Sequence, residues 1–293
     1  MTLEQLMIFI AVAERQHITQ AAEAVHLTPS AVSAAIRALE TTHDVQLFDR
    51  IGRGIQLTPA GRMFLDEARA TVARAESATR MLADLSGLKR GKLTLQASQT
   101  VASHWLPRQM MAFHRLYPNI DLSLTIGNSR SVTMAVEEGQ AELGFVEDEI
   151  NSDLVSGTIV ATDEMVVVAP PGHPLLSASG DIRPALVATG WIMREEGSGT
   201  RNTFEAALLA MGIDKASLTI ALTLPSNEAV LSALPDSLCA AALSKAAAAP
   251  WIETGRLVLA PVPLPSRHFS ALRHRERRLS GLARAFMQVS ILK

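Results

Sequence analysis

A loop rich in glycine and hydroxyl residues offers the first chemistry in this chain. Residues 194–201 read REEGSGTR and stand directly before NTFEAALLAMG, whose apolar residues recur at helical spacing. The first turn of a helix leaves backbone N–H groups unpaired and carries partial positive charge, so such a loop can hold a small anion. An ordinary helix cap would have the same composition. Both interpretations of the loop, an anion site and a structural cap, are open at this point.

The elements around this loop predict a ligand cleft. From about residue 91 short strands alternate with helices in two successive sets, which indicates two α/β lobes with sites at the turns from strand to helix. Ser198, Gly199 and Thr200 can donate to an oxyanion from one lobe, and Ser98 and Thr100 can close on it from the other. The sequence thus predicts a carboxylate, a phosphate ester or a sulfur oxyanion as ligand.

Two carboxylates within the loop oppose an anion unless they are neutralised. Glu195 and Glu196 would repel the ligand, so we expect Arg194 and Arg201 to pair with them. One or both of these pairs could be purely structural.

The first 58 residues predict a helix-turn-helix. Thr28 before Pro29 strongly indicates the start of a helix. Thr19 is suited to be the N-cap of the preceding helix. In the helix after Thr28, one face is apolar, whereas the other is small and polar and carries Ser30, Ser33, Ala34 and Arg37. A helix with such a face can lie deep in a major groove, although a helix face that is merely exposed to solvent would have the same composition.

A glycine-containing ribbon follows, LFDRIGRGIQLTPAG, with Arg50 and Arg53 near its tip. Basic residues in this position would grip phosphates beside a helix that lies in the groove. The ribbon therefore reads as the wing of a winged helix-turn-helix.

From Pro59 to about Ser86 a long helix is predicted, about 40 Å in length at 1.5 Å per residue. Its narrow apolar stripe steps by three and four, as in a heptad seam: Leu65, Ala68, Val72, Ala75, Thr79 and Leu82. A stripe this long favours a partner chain as its cover, and a pair of helix-turn-helix units would match two half-sites on DNA. Packing on the chain's own C-terminal domain is the alternative.

Composition narrows the function classes. The net charge is −2, and residues 1–90 hold ten Lys and Arg against ten Asp and Glu, so contacts to DNA must come from the placement of charge. Apolar stretches are too short for a membrane span, the N-terminus lacks the pattern of a signal peptide, and Cys239 is the one cysteine. We expect a cytoplasmic protein with no membrane partner.

Two other functions compete. An enzyme lacks sequence support, since there is no G-x-S-x-G, H-E-x-x-H, Walker A or G-x-G-x-x-G pattern. We expect no enzyme activity, no cofactor and no metal site. A solute-binding protein would account for residues 91–293 but leaves the helical N-terminus and the long seam unexplained.

The whole chain resembles a LysR-type transcriptional regulator. The motifs that carry the resemblance follow the family's order along the sequence: AAEAVHLTPSAVSAAIRALE, LFDRIGRGIQLTPAG, LPRQMMAFHRLYPNIDLSLTIGNS, EEGSGTR and RHRERRLSGLARAF. The resemblance implies an α+β multidomain protein: a winged helix-turn-helix at 1–58, a linker helix that pairs subunits at 59–90, and an effector domain at 91–293. The effector domain would have two lobes like those of periplasmic binding proteins, the first at about 91–161 and 266–293, the second at about 162–265.

The resemblance also implies site residues. The DNA contacts would fall to Thr28, Ser30, Ser33, Arg37, Arg50 and Arg53. The effector, a small anionic co-inducer, would be lined by Ser98, Thr100, Asn128, Gly197, Ser198, Gly199, Thr200, Arg201, Ser226 and Asn227. The family commonly has glutamine at the position of Pro29, and glutamine or arginine at that of Ala34. At the latter position this chain therefore lacks a long side chain that could contact the bases. The expected partners are double-stranded promoter DNA, the effector, and one or three further copies of the chain.

Overall fold

The computed structural model describes residues 1–51, 54–85, 91–147 and 152–291, without the side chains of 50–51, 76–77 and 79–85. Arg53 and the side chain of Arg50, both expected on the wing, therefore lie outside the described part. The chain forms two compact units: one comprises Met1–Ser86 with Glu138–Gln140, the other Gly87–Glu137 with Ala141–Lys293.

The first unit has three short helices, a two-stranded antiparallel ribbon and a long helix. These are α1 (Leu3–Arg15), α2 (Ile18–Ala24), α3 (Pro29–His43), β1 (Phe48–Ile51), β2 (Gly54–Leu57) and α4 (Pro59–Leu85). The Thr28 hydroxyl caps α3 by accepting from the backbone N–H of Ala31 at 3.2 Å.

The start of α2 differs from the sequence expectation. His17 rather than Thr19 is the cap, and its Nδ1 accepts from the backbone N–H of Gln20 at 3.4 Å. Gln16 ends α1 in the left-handed conformation, with a φ of 47°. Because this turns the chain abruptly, the next helix starts at Ile18 and already includes Thr19.

One aromatic cluster ties the first unit together. Phe9 of α1 is fully buried, and its ring centroid lies 5.3 Å from that of Phe48 in β1 and 4.9 Å from that of Phe64 in α4. Burial of aromatic rings contributes strongly to such a small core. The ribbon and the first turns of α4 are thereby fixed to the helix-turn-helix.

The apolar seam of α4 is covered partly by its own chain. Leu65, Ala68 and Val72 pack against the same core as Phe9. The core of the first unit therefore covers the first part of the seam, for which the sequence favoured a partner chain.

Gly61 marks a close approach between α4 and the segment that enters the ribbon. A Cβ at this position would overlap with the backbone carbonyl oxygen of Leu47. Thr58 spans the same junction, because its hydroxyl donates to the Gln46 carbonyl at 2.8 Å and accepts from the Gly61 N–H at 2.9 Å.

The second unit contains nine strands and eight helices in the described residues. The strands are β3 (Gly91–Ser98), β4 (Ile120–Gly127), β5 (Leu143–Val146), β6 (Val155–Ala169), β7 (Gly190–Arg194), β8 (Thr219–Leu224), β9 (Cys239–Ser244), β10 (Val258–Leu259) and β11 (Ser266–His274). The helices are α5 (Gln99–His104), α6 (Leu106–Leu116), α7 (Ser129–Glu138), α8 (Arg183–Ala188), α9 (Gly199–Ala210), α10 (Asn227–Ala233), α11 (Lys245–Glu253) and α12 (Gly281–Ile291).

The strands form two lobes joined by a crossing pair. Their order is β4-β3-β5-β11-β6-β9-β7-β8, with β10 beside β6. β3 runs parallel to β4 and β5, and β7 runs parallel to β8 and β9. The long β6 pairs with β11 up to Glu164 and with β9 from Met165 onward. The chain therefore passes between the lobes at this point of β6.

Each lobe has its own apolar core on both faces of its sheet. Leu95 and Phe145 anchor one face of the first lobe and Val132 the other, whereas Trp191 and Val168 lie on opposite faces of the second. Because the faces of parallel strands are buried, polar side chains concentrate at the strand ends. None of the helices in the described residues combines the length and the apolar character that a membrane crossing requires.

Candidate functional site

Polar side chains from both lobes meet where parallel strands end and the next helices begin. We call this group the inter-lobe cluster; its members are Ser98, Thr100, Glu147, Thr200, Asn227 and Arg267. Each is at most 6% exposed. Buried polar groups persist when they are hydrogen-bonded, so the partners of this cluster indicate what holds it together.

Hydrogen bonds within the cluster connect the two lobes directly. Asn227 donates from Nδ2 to the Thr100 hydroxyl at 3.1 Å, and the Thr100 and Thr200 hydroxyl oxygens lie 3.4 Å apart. Arg267 donates from Nη1 to the Thr200 hydroxyl at 3.2 Å. The Ser98 hydroxyl donates to the carboxylate of Glu147.

The crossing strands fix Arg267. Asp163 of β6 is the register partner of Arg267 in β11, and Arg267 donates from Nε to its Oδ2 at 2.8 Å. Ser244, at the end of β9, donates to Asp163 Oδ1 at 2.7 Å. The pairing of the two crossing strands thus places the guanidinium group of Arg267 at the cleft, where it is already paired with the carboxylate of Asp163.

Only one of the two expected arginines pairs with a carboxylate of the loop. Arg194 forms a two-pronged ion pair with Glu195, with distances of 2.8 Å from Nε and 3.0 Å from Nη2, and donates from Nη1 to Asn227 Oδ1 at 2.6 Å. Arg201 does not pair with Glu196. Its Nε donates at 2.6 Å to Glu205, one turn further along α9.

Glu205 lies between two cations. Burial by itself raises the pKa of this carboxyl group, but hydrogen bonds from Arg201 and from Lys215, with attraction to both charges, hold the pKa below its ordinary value of 4.5. Arg201, expected in the effector site, is thereby committed to a pair on the side of α9.

Three serines occupy cap positions without capping their helices. Ser98, Ser198 and Ser244 immediately precede α5, α9 and α11, yet none of the three hydroxyls bonds to its own helix. Ser98 and Ser244 donate to the carboxylates described above. In contrast, Ser226 caps α10 by accepting from the Ala229 N–H at 3.1 Å.

Ser198 is the exceptional member of this set. It is 1% exposed, and its Oγ has no hydrogen-bond partner within the described residues. Leaving a buried hydroxyl unpaired costs free energy, about 1–3 kcal/mol. A buried donor at the uncapped start of a 12-residue helix is therefore a feature that folding alone does not favour.

Asn128 and Gly197 make a separate contact between the lobes. Asn128 donates from Nδ2 to the Glu195 carboxylate and to the Glu196 carbonyl, both at 3.4 Å, and the Arg130 N–H donates to the Gly197 carbonyl at 3.2 Å. Gly197 has a φ of +84°, and a Cβ on it would lie 3.0 Å from Arg130 Cβ. This position therefore requires glycine, and the contact holds the GSGTR loop against the first lobe.

An open cavity of about 1040 Å³ adjoins the inter-lobe cluster. Two members of the cluster, Glu147 and Arg267, also line the cavity. Ala206, Ala210 and Met211 make one wall of the cavity apolar. Nowhere in the described residues do three or more His, Cys, Asp or Glu side chains group in a way that could hold a metal ion.

In the first unit, α3 presents a small polar face. Ser30, Ala34 and Arg37 are exposed and Ser33 is half-buried, while Val32, Ile36 and Leu39 on the opposite face are buried. The Thr28 and Ser30 hydroxyl oxygens lie 3.0 Å apart.

Glu40, which the sequence did not single out, ties this helix to the ribbon. Its Oε1 accepts from the backbone N–H groups of Leu47 at 2.8 Å and Phe48 at 3.1 Å.

Two family models match the chain. Residues 3–62 match the bacterial regulatory helix-turn-helix protein of the lysR family, and residues 86–290 match the LysR substrate binding domain. The chain belongs to the LysR family. Like the related proteins of this family, it is a DNA-binding transcriptional regulator with an effector-binding domain. It is not an enzyme.

Individual LysR relatives match over nearly the whole chain. The uncharacterized HTH-type transcriptional regulator YeiE of Escherichia coli K12 is 32% identical over 289 residues, 98% of this chain and 96% of the relative. The crystal structure of full-length CbnR in complex with its target DNA matches this chain with a TM-score of 0.69 at 21% identity. The match covers 99% of each chain. The regulatory domain of Synechocystis PCC6803 CcmR in complex with 2-PG has a TM-score of 0.62 at 24% identity, and covers 69% of this chain and 97% of that one.

Sequence reasoning from the LysR motifs missed three charged residues at the cleft. Glu147 is the first residue after the apolar strand β5, so the rule that selected Ser98 could have found it. Asp163 and Arg267 lie within long strands and carry no comparable local signal. Only strand pairing brings them to the cleft.

Proposed function

We propose that the cleft between the two lobes senses a small anionic metabolite, and that its occupancy changes how this regulator engages double-stranded promoter DNA. The hydroxyls of Thr100, Ser198 and Thr200 and the first N–H groups of α9 supply donors, while Ser98 lines the site as the donor to Glu147. Asn227, Asn128 and the Gly197–Gly199 backbone hold these donors in place. Arg201 and Ser226 have other partners within their own lobe, so we assign them no contact with the ligand.

The observation that carries this proposal is the unpaired hydroxyl of Ser198. It is buried two residues before Thr200, at a helix start that no side chain caps. An oxyanion would supply the missing acceptor and would interact favourably with the N-terminus of α9. A purely structural loop would more favourably have turned this hydroxyl onto the helix, as Ser226 does.

Relatives give support of a general kind. The CcmR regulatory domain binds 2-PG, which is 2-phosphoglycolate, an anion with a phosphate and a carboxylate group. This accords with an anionic co-inducer without naming the one used here.

Thermal unfolding of the full-length protein in small anions tests the proposal. A ligand at 100 times its Kd adds about 2.7 kcal/mol to the stability of the folded state, enough to raise Tm by roughly 5–11 °C in a domain of this size. We expect at least one anion among phosphate, sulfate and small carboxylates to give such a rise, and Thr200→Ala to abolish it. Thr189→Ala is the matched control, because Thr189 is a buried threonine of the same lobe whose hydroxyl donates only to the Ala185 carbonyl. An equal rise in the wild type and in Thr200→Ala would make the loop a structural cap.

For the DNA-binding unit we propose that Ser30, Ser33 and Arg37 face base edges, with Thr28, Arg50 and Arg53 near phosphates. The exposed polar face of α3 supports this placement. Arg37→Ala should weaken binding to a DNA site selected from a random pool by about 1–3 kcal/mol and relax its sequence preference. Arg74→Ala, an exposed change on α4, is the control. Equal affinities of the two variants in fluorescence anisotropy would exclude Arg37 as a reader of bases.

We also propose that the chain acts as a homodimer or homotetramer in the cytoplasm. The later part of α4 supports assembly, because its apolar seam continues beyond the residues that the first unit covers. DNA binding and the single free cysteine, Cys239, support the location.

A further inference from the structure

The cleft of this regulator contains a carboxylate at a place where an anion would bind. Glu147 follows β5, is 3% exposed and accepts from the Ser98 hydroxyl. Its Oε1 lies 4.0 Å from Arg267 Nη1. An anion held by the surrounding hydroxyls would therefore be bound beside a buried negative group.

The charges around the cluster do not compensate Glu147 fully. Arg267 contacts Asp163 at 2.8 Å, closer than it approaches Glu147, and Arg194 is paired with Glu195. The two buried guanidinium groups thus face three carboxylates. Because Glu147 is 3% exposed, its repulsion of a fully ionised anion placed next to it is only weakly screened by solvent.

We propose that Glu147 determines effector specificity by accepting a hydrogen bond from the ligand. The effector is then an oxyanion that presents at least one O–H donor to Glu147 while its other oxygens accept from Thr100, Ser198 and Thr200. A proton shared with Glu147 replaces a contact between like charges with a charge-assisted hydrogen bond. Oxyanions that lack a proton are rejected. This inference rests on the proposed anion sensing and names the chemical class of the ligand.

The cavity beside the cluster indicates how such a ligand enters. Glu147 and Arg267 are the members of the cluster that line it, so a ligand arriving from the cavity meets this carboxylate before the hydroxyl groups further in. Selection by Glu147 therefore operates at the entrance of the site. The volume of about 1040 Å³ leaves room for the body of a molecule whose oxyanion end occupies the cluster.

Inorganic phosphate and sulfate provide the test, because they have similar size and shape. At neutral pH phosphate retains at least one proton and sulfate retains none. Isothermal titration calorimetry on the full-length protein at matched ionic strength should give an affinity for phosphate at least about 10-fold above that for sulfate. In Glu147→Gln the amide can donate to either anion, and we expect the two affinities to become equal through a gain for sulfate.

Two further variants make the comparison specific. Glu147→Asp keeps an acceptor and should retain the preference for phosphate. Glu164→Gln removes an exposed carboxylate that pairs with Lys245, and should behave as the wild type. Retained DNA binding by each variant shows that it is folded.

The outcomes separate this inference from the proposed function. Equal affinities for the two anions in the wild type, or a preference for phosphate that survives in Glu147→Gln, would overturn the role of Glu147 and leave anion sensing intact. If the wild type binds neither anion at millimolar concentrations, the anion-sensing proposal itself is refuted, and this inference with it.

Discussion

Replacing Ser198 with alanine should move stability and ligand binding in opposite directions. The hydroxyl is buried, it has no partner in the described part of the chain, and it does not cap α9. Removing an unsatisfied buried polar group regains part of its desolvation cost, about 1 kcal/mol. In a unit of this size, that gain raises Tm by about 2–4 °C.

The same substitution should weaken anion binding. A hydrogen bond to a charged group contributes about 1.5–3 kcal/mol, so the loss of this donor should reduce the affinity for phosphate about 10- to 100-fold. The two effects are measured on one sample of the full-length protein, by differential scanning calorimetry without ligand and by isothermal titration calorimetry with phosphate.

Ser226→Ala is the matched control, because this serine does cap its helix. Loss of that cap should destabilise the protein by about 1 kcal/mol and leave the affinity for phosphate unchanged. The reasoning about Ser198 is refuted if Ser198→Ala lowers Tm as Ser226→Ala does, which would mean that its hydroxyl has a structural partner. It is also refuted if the affinity for phosphate stays at the wild-type value.

Three further substitutions test other parts of the molecule. Gly61→Ala should destabilise the first unit by about 3 kcal/mol, because a Cβ overlaps the Leu47 carbonyl, and should reduce DNA binding; thermal unfolding that matches the wild type would contradict this packing. Glu205→Gln should lose about 0.5 kcal/mol after allowance for solvent screening. Because the folded pKa is lowered, this difference from the wild type should be fully present above pH 4.5 and vanish as the pH falls through the lowered value in acid denaturation; a constant difference would exclude the ion pairs as its cause. Leu82→Glu, near the end of the seam of α4, should halve the mass seen by light scattering, from dimer to monomer or from tetramer to dimer, and an unchanged mass would exclude this part of α4 from the interface.

The sequence by itself determined the elements and the order in which they occur. Thr28 and Pro29 mark the start of the DNA-facing helix because capping and proline geometry are local properties. The alternation of strands and helices after residue 91 predicts two α/β lobes because hydrophobic period reports which face of an element is buried. The hydroxyls of Ser98, Thr100 and Ser198 could be selected because they stand between a strand and a helix. The resemblance to LysR regulators, carried by motifs in a fixed order, supplied the function.

Only the tertiary structure decided which of these groups meet and which charges surround them. Asp163 and Arg267 are more than 100 residues apart in sequence and become neighbours through the antiparallel register of β6 and β11. Glu147 approaches Ser98 because β3 and β5 lie side by side in one parallel sheet. The partners of Arg194 and Arg201, and the absence of a partner for the Ser198 hydroxyl in the described residues, likewise depend on packing between distant segments. Sequence periodicity reports the side on which a residue lies, whereas its electrostatic environment is set by strand pairing and lobe contacts that no local pattern encodes.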